Sequence, residues 1–336
     1  MNNAEKKKKI TVSELAKETN VSPATISRVL NNRTDLVNPE TFERIREAIT
    51  KSGYNLPKQA ITPYSKKKVI VLNIPNTSNL FYNEIMQGAL SSASAHNCHL
   101  IFHQAPLDSD SIDNFLCMLK TINASGVILM NLVSTAILER IENVAPVIQC
   151  NEYNKNSITP YVSIDDVKSA KMATEFLISK GCTKIAFLNG PHTSKYARQR
   201  QEGFLEAMNE AQLTVPENWL IQLPEINYDM ACSTLNQILT SEIKPNAIFA
   251  VSDTLAAAAI RMIQKYGYRV PKDIKVIGFD DTIIASVCIP TLTTVRQPMQ
   301  QLGYSACEML LDIINYPERK PNYLIFDTEI IIREST

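Results

Sequence analysis

The sequence predicts an α/β protein with a small all-helical head and a larger, two-lobed, doubly wound body. Three observations carry this. Residues 11–31 hold two short amphipathic helices that meet at a tight turn. From Val69 onward, short β-rich runs alternate with helical runs. Charge also divides along the chain. Residues 1–68 contain fourteen Lys+Arg and seven Asp+Glu, a net of +7. The whole chain is neutral, so residues 69–336 carry −7.

In the head, Val12, Leu15 and Ala16, then Ile26, Val29 and Leu30, recur at i, i+3, i+4 and give each helix one apolar stripe. Ser22 is placed to cap the second helix, and Pro23 takes the first helical position, where a missing N–H costs nothing. The opposite face carries Thr25, Ser27, Arg28 and Asn31, short donors suited to phosphates and base edges. This is the outline of a DNA-reading helix-turn-helix, although two amphipathic helices also suit any small bundle. The basic head on an acidic body favours nucleic acid, because phosphate binding needs clustered positive charge on the contacting module. A third helix fits Pro39–Ser52, with Asn38 as its cap and Gly53 as its stop, and gives a head over 1–55. Residues 56–68, with two prolines nearby and several lysines, read as a linker.

The body, 69–336, is read element by element. Strands are expected at Val69–Ile74, Leu100–Phe102, Gly126–Met130, Val147–Gln149, Tyr161–Ile164, Lys184–Leu188, Ala247–Ala250 and Ile274–Ile277. Helices are expected at 80–95, 109–121, 134–142, 166–179, 195–211, 228–240 and 253–266. Near-continuous apolar strands between helices mean parallel strands covered on both faces. A polar break near Tyr153–Thr159 marks the expected boundary between the two lobes.

Composition excludes several classes. No stretch approaches the roughly 18 apolar residues of a membrane span. Residues 10–20 are too polar for a signal peptide, so a cytoplasmic protein with reduced, buried thiols at its seven cysteines is expected. The nine glycines never stand two within five residues, so neither dinucleotide nor P-loop phosphate cradles exist. No nucleophile elbow, zinc-protease or kinase signature occurs, and no enzyme and no cofactor is expected. His96, Cys98, His99 and His103 are close in sequence, but a helix end and a strand should splay them, so no metal is assigned. The carboxylate pairs Asp165-Asp166 and Asp280-Asp281 read as caps or pocket acceptors.

Six ordered motifs then add a resemblance. Val21-Ser22-Pro23-Ala24-Thr25-Ile26-Ser27-Arg28-Val29-Leu30-Asn31 is similar to V-S-x-x-T-V-S-R-V-L-N. Ile74–Phe81, Arg200–Phe204, Ser252-Asp253, Val276–Asp281 and Pro290–Pro298 follow in order. The chain resembles the LacI/GalR family of bacterial transcriptional regulators over nearly its full length. The resemblance implies a periplasmic-binding-protein-like body closing on a small effector, a sugar or a nucleoside. It also implies a homodimer on palindromic operator DNA, with repression as the expected sign. By position, Pro23, Ala24 and Arg28 would read bases, and Thr11, Ser22, Thr25 and Asn31 would hold phosphates. Phe81 and Tyr82 would stack on the effector, Arg200 and Asp253 would anchor its polar groups, and Asn151 would stand beside them.

The chain departs from the pattern at the turn, where Asn20 replaces the usual Gly, and in the loop Asn32–Val37, which is longer than the commonest form. At the linker, Ala60-Ile61-Thr62-Pro63 stands in place of the A-R-S-L hinge. Asn tolerates the left-handed conformation, whereas Pro63 would end a hinge helix.

Overall fold

A computed structural model describes residues 11–30, 37–52, 67–76, 79–319 and 322–336. The chain divides into two units, residues 1–67 and 68–336. Asn31, the loop at 32–36, Gly53 and the linker departure at Ala60–Pro63 lie outside the described residues.

The head has α1 (Val12–Glu18), α2 (Pro23–Leu30) and α3 (Pro39–Ser52). Thr11 and Glu14 form a capping box: the Thr11 hydroxyl oxygen accepts the Glu14 amide, and the Glu14 carboxylate accepts the Thr11 amide at 2.7 Å. Asn20 takes φ 51°, so it supplies the left-handed turn in place of glycine. Ser22 accepts the Thr25 amide at 3.1 Å, and Asn38 accepts the Glu40 amide at 2.9 Å, as expected of caps. Leu15, Ala16, Ile26, Val29, Ile45, Ala48 and Ile49 close a small core.

The body is two six-stranded sheets. The first uses β1 (Val69–Ile74), β2 (His99–Gln104), β3 (Gly126–Leu129), β4 (Val147–Cys150), β5 (Tyr161–Ile164) and, much later, β11 (Tyr323–Phe326), in the order β11-β5-β4-β3-β1-β2. All its pairings are parallel. Helices α4 (Leu80–Ala95) and α12 (Met299–Asn315) cover one face. Helices α5 (Ile112–Thr121) and α6 (Thr135–Glu142) cover the other. Alternate strand residues serve the two layers: Ile70, Leu72 and Ile74 one, Val71 the other.

The second sheet joins β6 (Ile185–Asn189), β7 (Leu220–Gln222), β8 (Ala247–Ala250), β9 (Lys275–Asp280), β10 (Thr293–Arg296) and β12 (Glu329–Ile331), in the order β12-β10-β9-β8-β6-β7. Only the β10–β12 pairing is antiparallel. Helix pairs α7 (Asp166–Ser179) with α8 (Lys195–Glu210), and α9 (Tyr228–Thr240) with α10 (Asp253–Lys265), flank it, and the short α11 (Ile283–Val287) precedes β10.

Two corrections follow. The polar segment 151–160 is not a lobe boundary but the helix-free connection between neighbouring parallel strands β4 and β5. The chain leaves the first lobe only after Ile164, returns before α12, and passes once more between β11 and β12. Three passages therefore join the lobes, and neither lobe is a continuous piece of sequence. The second correction concerns thiols. All seven cysteines are free, but only Cys150, Cys182 and Cys307 are buried, and Cys117 is exposed.

In each lobe a glycine lets two helices touch backbone to backbone. A Cβ on Gly303 of α12 would fall on the Ile85 carbonyl of α4, and one on Gly203 of α8 on the Val167 carbonyl of α7.

Candidate DNA-reading head and effector cleft

On α2 the exposed residues are Pro23, Ala24, Ser27 and Arg28, while Ile26 and Val29 face the core. Ser22 is exposed and shares its hydroxyl with that of Thr25 at 2.8 Å, which preorders both at the start of the helix. Thr11 caps α1 and lies on the surface. Arg28 stands in the last turn of α2 with its guanidinium exposed and no ion pair among the described residues.

The body's cleft is built from the C-terminal ends of parallel strands and the N-termini of the helices that follow them, the place where open α/β sheets bind ligands. An inner chamber of about 20 Å³ is bounded by Phe81, Tyr82, Asn151, Tyr196, Arg200 and Asp280. An adjoining chamber of about 290 Å³ shares Asn79, Tyr82, Tyr196 and Ile226 and adds Asn131, Glu152 and Glu225. Phe81 and Tyr82 form the first turn of α4, their rings edge-to-face at 5.3 Å, behind the Asn79 cap. Asn151 follows β4 at φ 68°, held by its amide on the Val162 carbonyl at 2.8 Å. Its side-chain carbonyl oxygen is buried and has no hydrogen-bond partner among the described residues.

Arg200 is locked from several sides. Its Nε donates to Asp166 at 2.8 Å and an NH group donates to the Val251 carbonyl at 2.7 Å. The guanidinium lies 3.5 Å from the centre of the Phe279 ring. Asp280 stands 3.7 Å from it and accepts from Gln297 at 2.7 Å. Burial drives the Asp280 carboxyl well above its ordinary range, and the Arg200 charge only partly offsets this. For Asp166 burial acts upward too, but the combined charges of Lys195 and Arg200 win and hold it below the usual carboxylate range. Lys195 completes this buried group, donating to Asp166 at 2.8 Å and to Ser163 at 3.0 Å.

Phe81, Tyr82, Asn151 and Arg200 thus meet around one cleft, and Asp253 does not join them. As the first residue of α10 it turns away from the chambers, against the ends of β9 and β10. There it accepts the Thr282 amide at 2.6 Å, the Thr282 hydroxyl at 3.0 Å and the Thr294 hydroxyl at 2.6 Å. Ser252 caps the helix instead, accepting from Leu255 at 3.3 Å, and it lines the inner chamber. The carboxylate that lines the inner chamber is Asp280, one member of a pair the sequence marked as caps or pocket acceptors. Asp165 caps α7, whereas Asp166 is the buried counter-ion of Arg200. Tyr196 and Ile226 carried no sequence signal, because each reaches the cleft only through the fold, and Glu152 was marked only by its place after Asn151. The histidines go elsewhere: His96 pairs with Glu308 at 2.9 Å and His103 with Asn73 at 2.9 Å. No helix among the described residues is long and apolar enough to cross a membrane.

A helix-turn-helix with an exposed arginine on its second helix, in one chain with two sheets around a polar and aromatic cleft, defines a ligand-responsive DNA-binding regulator. Comparison with known proteins gives the family. Residues 11–56 match the model of bacterial regulatory proteins of the lacI family, and residues 174–336 that of the periplasmic binding protein-like domain. The HTH-type transcriptional regulator RegA of Clostridium saccharobutylicum is 33% identical, covering 97% of this chain and 98% of its own length. The HTH-type transcriptional repressor CytR of Escherichia coli K12 is 27% identical over 97% of this chain and 96% of its own. Among solved structures, the transcriptional regulator CelR in complex with cellobiose is 25% identical with a TM-score of 0.73, covering 98% of this chain and all of that one. The chain belongs to the LacI family and is a transcriptional regulator.

Proposed function

We propose that this regulator is a cytoplasmic homodimer that represses transcription from a palindromic operator and is controlled by a sugar or nucleoside bound in the cleft. The observation that carries the reading is the pairing of a rigidly held Arg200 with the unpartnered Asn151 carbonyl oxygen, at the meeting of two lobes. Phe81 and Tyr82 cover the apolar face of the effector, and Asp280 accepts from it. Asp253 is a positioning residue that fixes the Thr282 loop beside Asp280. In the head, Arg28 pairs with guanine, Pro23 and Ala24 read shape or thymine methyls, and Thr11, Ser22, Thr25 and Ser27 engage phosphates. Asn31 is assigned the same phosphate role from sequence alone. Free thiols at all seven cysteines suit a reducing compartment. Uncovered apolar side chains at Ile283, Val287 and Ile289, and at Ile101 and Phe102 on edge strand β2, supply surface for a second copy.

Footprinting on the DNA upstream of its own gene tests the reading. A protected palindrome of about 14–20 bp is expected at moderate salt, released by one member of a sugar and nucleoside panel. Absence of any protected site would refute it.

A further inference from the structure

We propose that the cleft accepts an uncharged, hydroxyl-rich effector and rejects the phosphorylated form of the same molecule. This rests on the cleft being the effector site. Three observations lead to it.

The first is where the cations go. Among the described residues lining the two chambers, Arg200 is the one cation, and it is already committed to Asp166, the Val251 carbonyl and the Phe279 ring. Lys195, beside Tyr196 at the start of α8, is bound to Asp166 and Ser163 and lies 4.5 Å over the Tyr153 ring. Both cations already serve the same buried carboxylate, so a phosphate drawing on either would compete with Asp166 for its charge.

The second concerns helix N-termini, which are the usual seats for anions. Three helices begin at this cleft, and the chain's own side chains already cap all three. Asn79 accepts the Phe81 amide of α4. Ser252 accepts the Leu255 amide of α10. Glu152 accepts both the Lys195 and Tyr196 amides of α8, at 2.7 and 3.0 Å. The position where a phosphate would sit on α8 is thus held by a carboxylate.

The third is what the lining offers. Asp280, Glu152 and Glu225 give the two chambers an acidic lining, and the buried Asn151 carbonyl oxygen is an unused acceptor. Asn151 and Asp280 both hold positive φ, 68° and 111°, so the backbone is strained where it presents these acceptors. Such a lining asks for ligand hydroxyl or amine donors and repels an added negative charge. A free sugar and a nucleoside share that chemistry.

The test is calorimetric titration of the full chain with matched pairs: ribose, glucose, adenosine, cytidine and uridine, each beside its monophosphate. At least one uncharged member should bind, with its phosphorylated partner weaker by about 100-fold or more. Whether the binder is a sugar or a nucleoside identifies the source. Asn151→Gly removes the acceptor at a backbone angle glycine adopts freely, and should weaken that binder about tenfold or more, with Asn151→Asp restoring it. A monophosphate that binds as well as or better than its parent, and is weakened by Asn151→Gly, overturns the exclusion but leaves the cleft as effector site. If no compound binds in a manner sensitive to Asn151→Gly, the cleft assignment falls and this inference with it.

Discussion

The Glu152 carboxylate accepts the Lys195 amide at 2.7 Å, and that single contact joins a loop of the first lobe to the first turn of a helix in the second. Ser194, the residue in the N-cap position of α8, makes no side-chain cap of its own. Glu152 supplies the missing acceptor from 43 residues away in sequence. Burial raises its carboxyl, while the Lys195 charge and the two amides pull it back. Glu152→Ala should lower the unfolding free energy by about 1–3 kcal/mol, since it leaves buried amide donors without an acceptor. Glu152→Gln should retain part of the loss-prone contact. Urea unfolding of the three proteins measures this, and an unchanged midpoint for the alanine variant would refute the cap.

Asp166 balances two buried cations, Lys195 and Arg200. Asp166→Asn should therefore cost about 3–5 kcal/mol, the penalty for uncompensated charge in the interior. Adding Lys195→Met removes one of the two cations and should recover part of that loss. A double variant no more stable than Asp166→Asn alone would contradict the charge-balance account.

Burial pushes the Asp253 carboxyl up to about 7, against the opposing pull of its hydrogen bonds from Thr294 and Thr282. Its ordinary value is 3.8, so between these limits the folded chain holds a proton that the unfolded chain has released. The contribution of this group is present at the acid end, declines as pH rises from about 4 to about 7, and is flat above. In Asp253→Asn that slope should become shallower, the raised Asp280 carboxyl supplying what remains, and urea midpoints recorded from pH 5 to 8.5 would reveal it. An identical slope in both proteins would place the titration elsewhere.

Arg28→Ala should reduce discrimination between the operator and single-base variants by about 1–3 kcal/mol, with the loss confined to one guanine position in each half-site. Competition gel shifts on a set of point-mutated operators measure it. A uniform weakening across all sequences would instead make Arg28 a phosphate contact.

Gly303→Ala should destabilise the body by more than about 2 kcal/mol, because the added methyl meets the Ile85 backbone rather than a movable side chain. Gly181→Ala makes a useful contrast. That glycine has open space around it, so any effect there reflects its φ of 82° alone. Thermal melts of the two variants separate crowding from backbone strain.

The head and the alternation of the body were legible because their signals are local. Ser22, Asn38 and Pro39 mark helix starts through chemistry that acts within one turn, and Asn20 tolerates its turn for the same reason. Element ends drifted by up to three residues, as with α5, which starts at Ile112 rather than 109. Strands β7, β10, β11 and β12 and helix α12 were not anticipated; β11 and β12 are short edge strands of three or four residues with half-exposed side chains, too short for their apolar runs at 323–326 and 330–332 to be told from other local clusters. The lobe boundary was misplaced because a polar loop between neighbouring strands has the composition of a linker. Asp253 follows strand β8 and Asp280 ends strand β9 of the same sheet. Which of them faces the cleft depends on whether the side chain leaves from a helix start or from a strained strand end, and that is set by the surrounding fold.

The three passages between lobes bear on how this molecule is made. Residues 323–326 complete the edge of one sheet, and residues 329–331 complete the edge of the other. Neither lobe can finish its sheet while the ribosome is still upstream of that stretch. A nascent chain therefore carries two incomplete sheets at once until residues 323–331 have emerged, and a frameshift or nick just after α12 would disable both lobes together rather than sparing either.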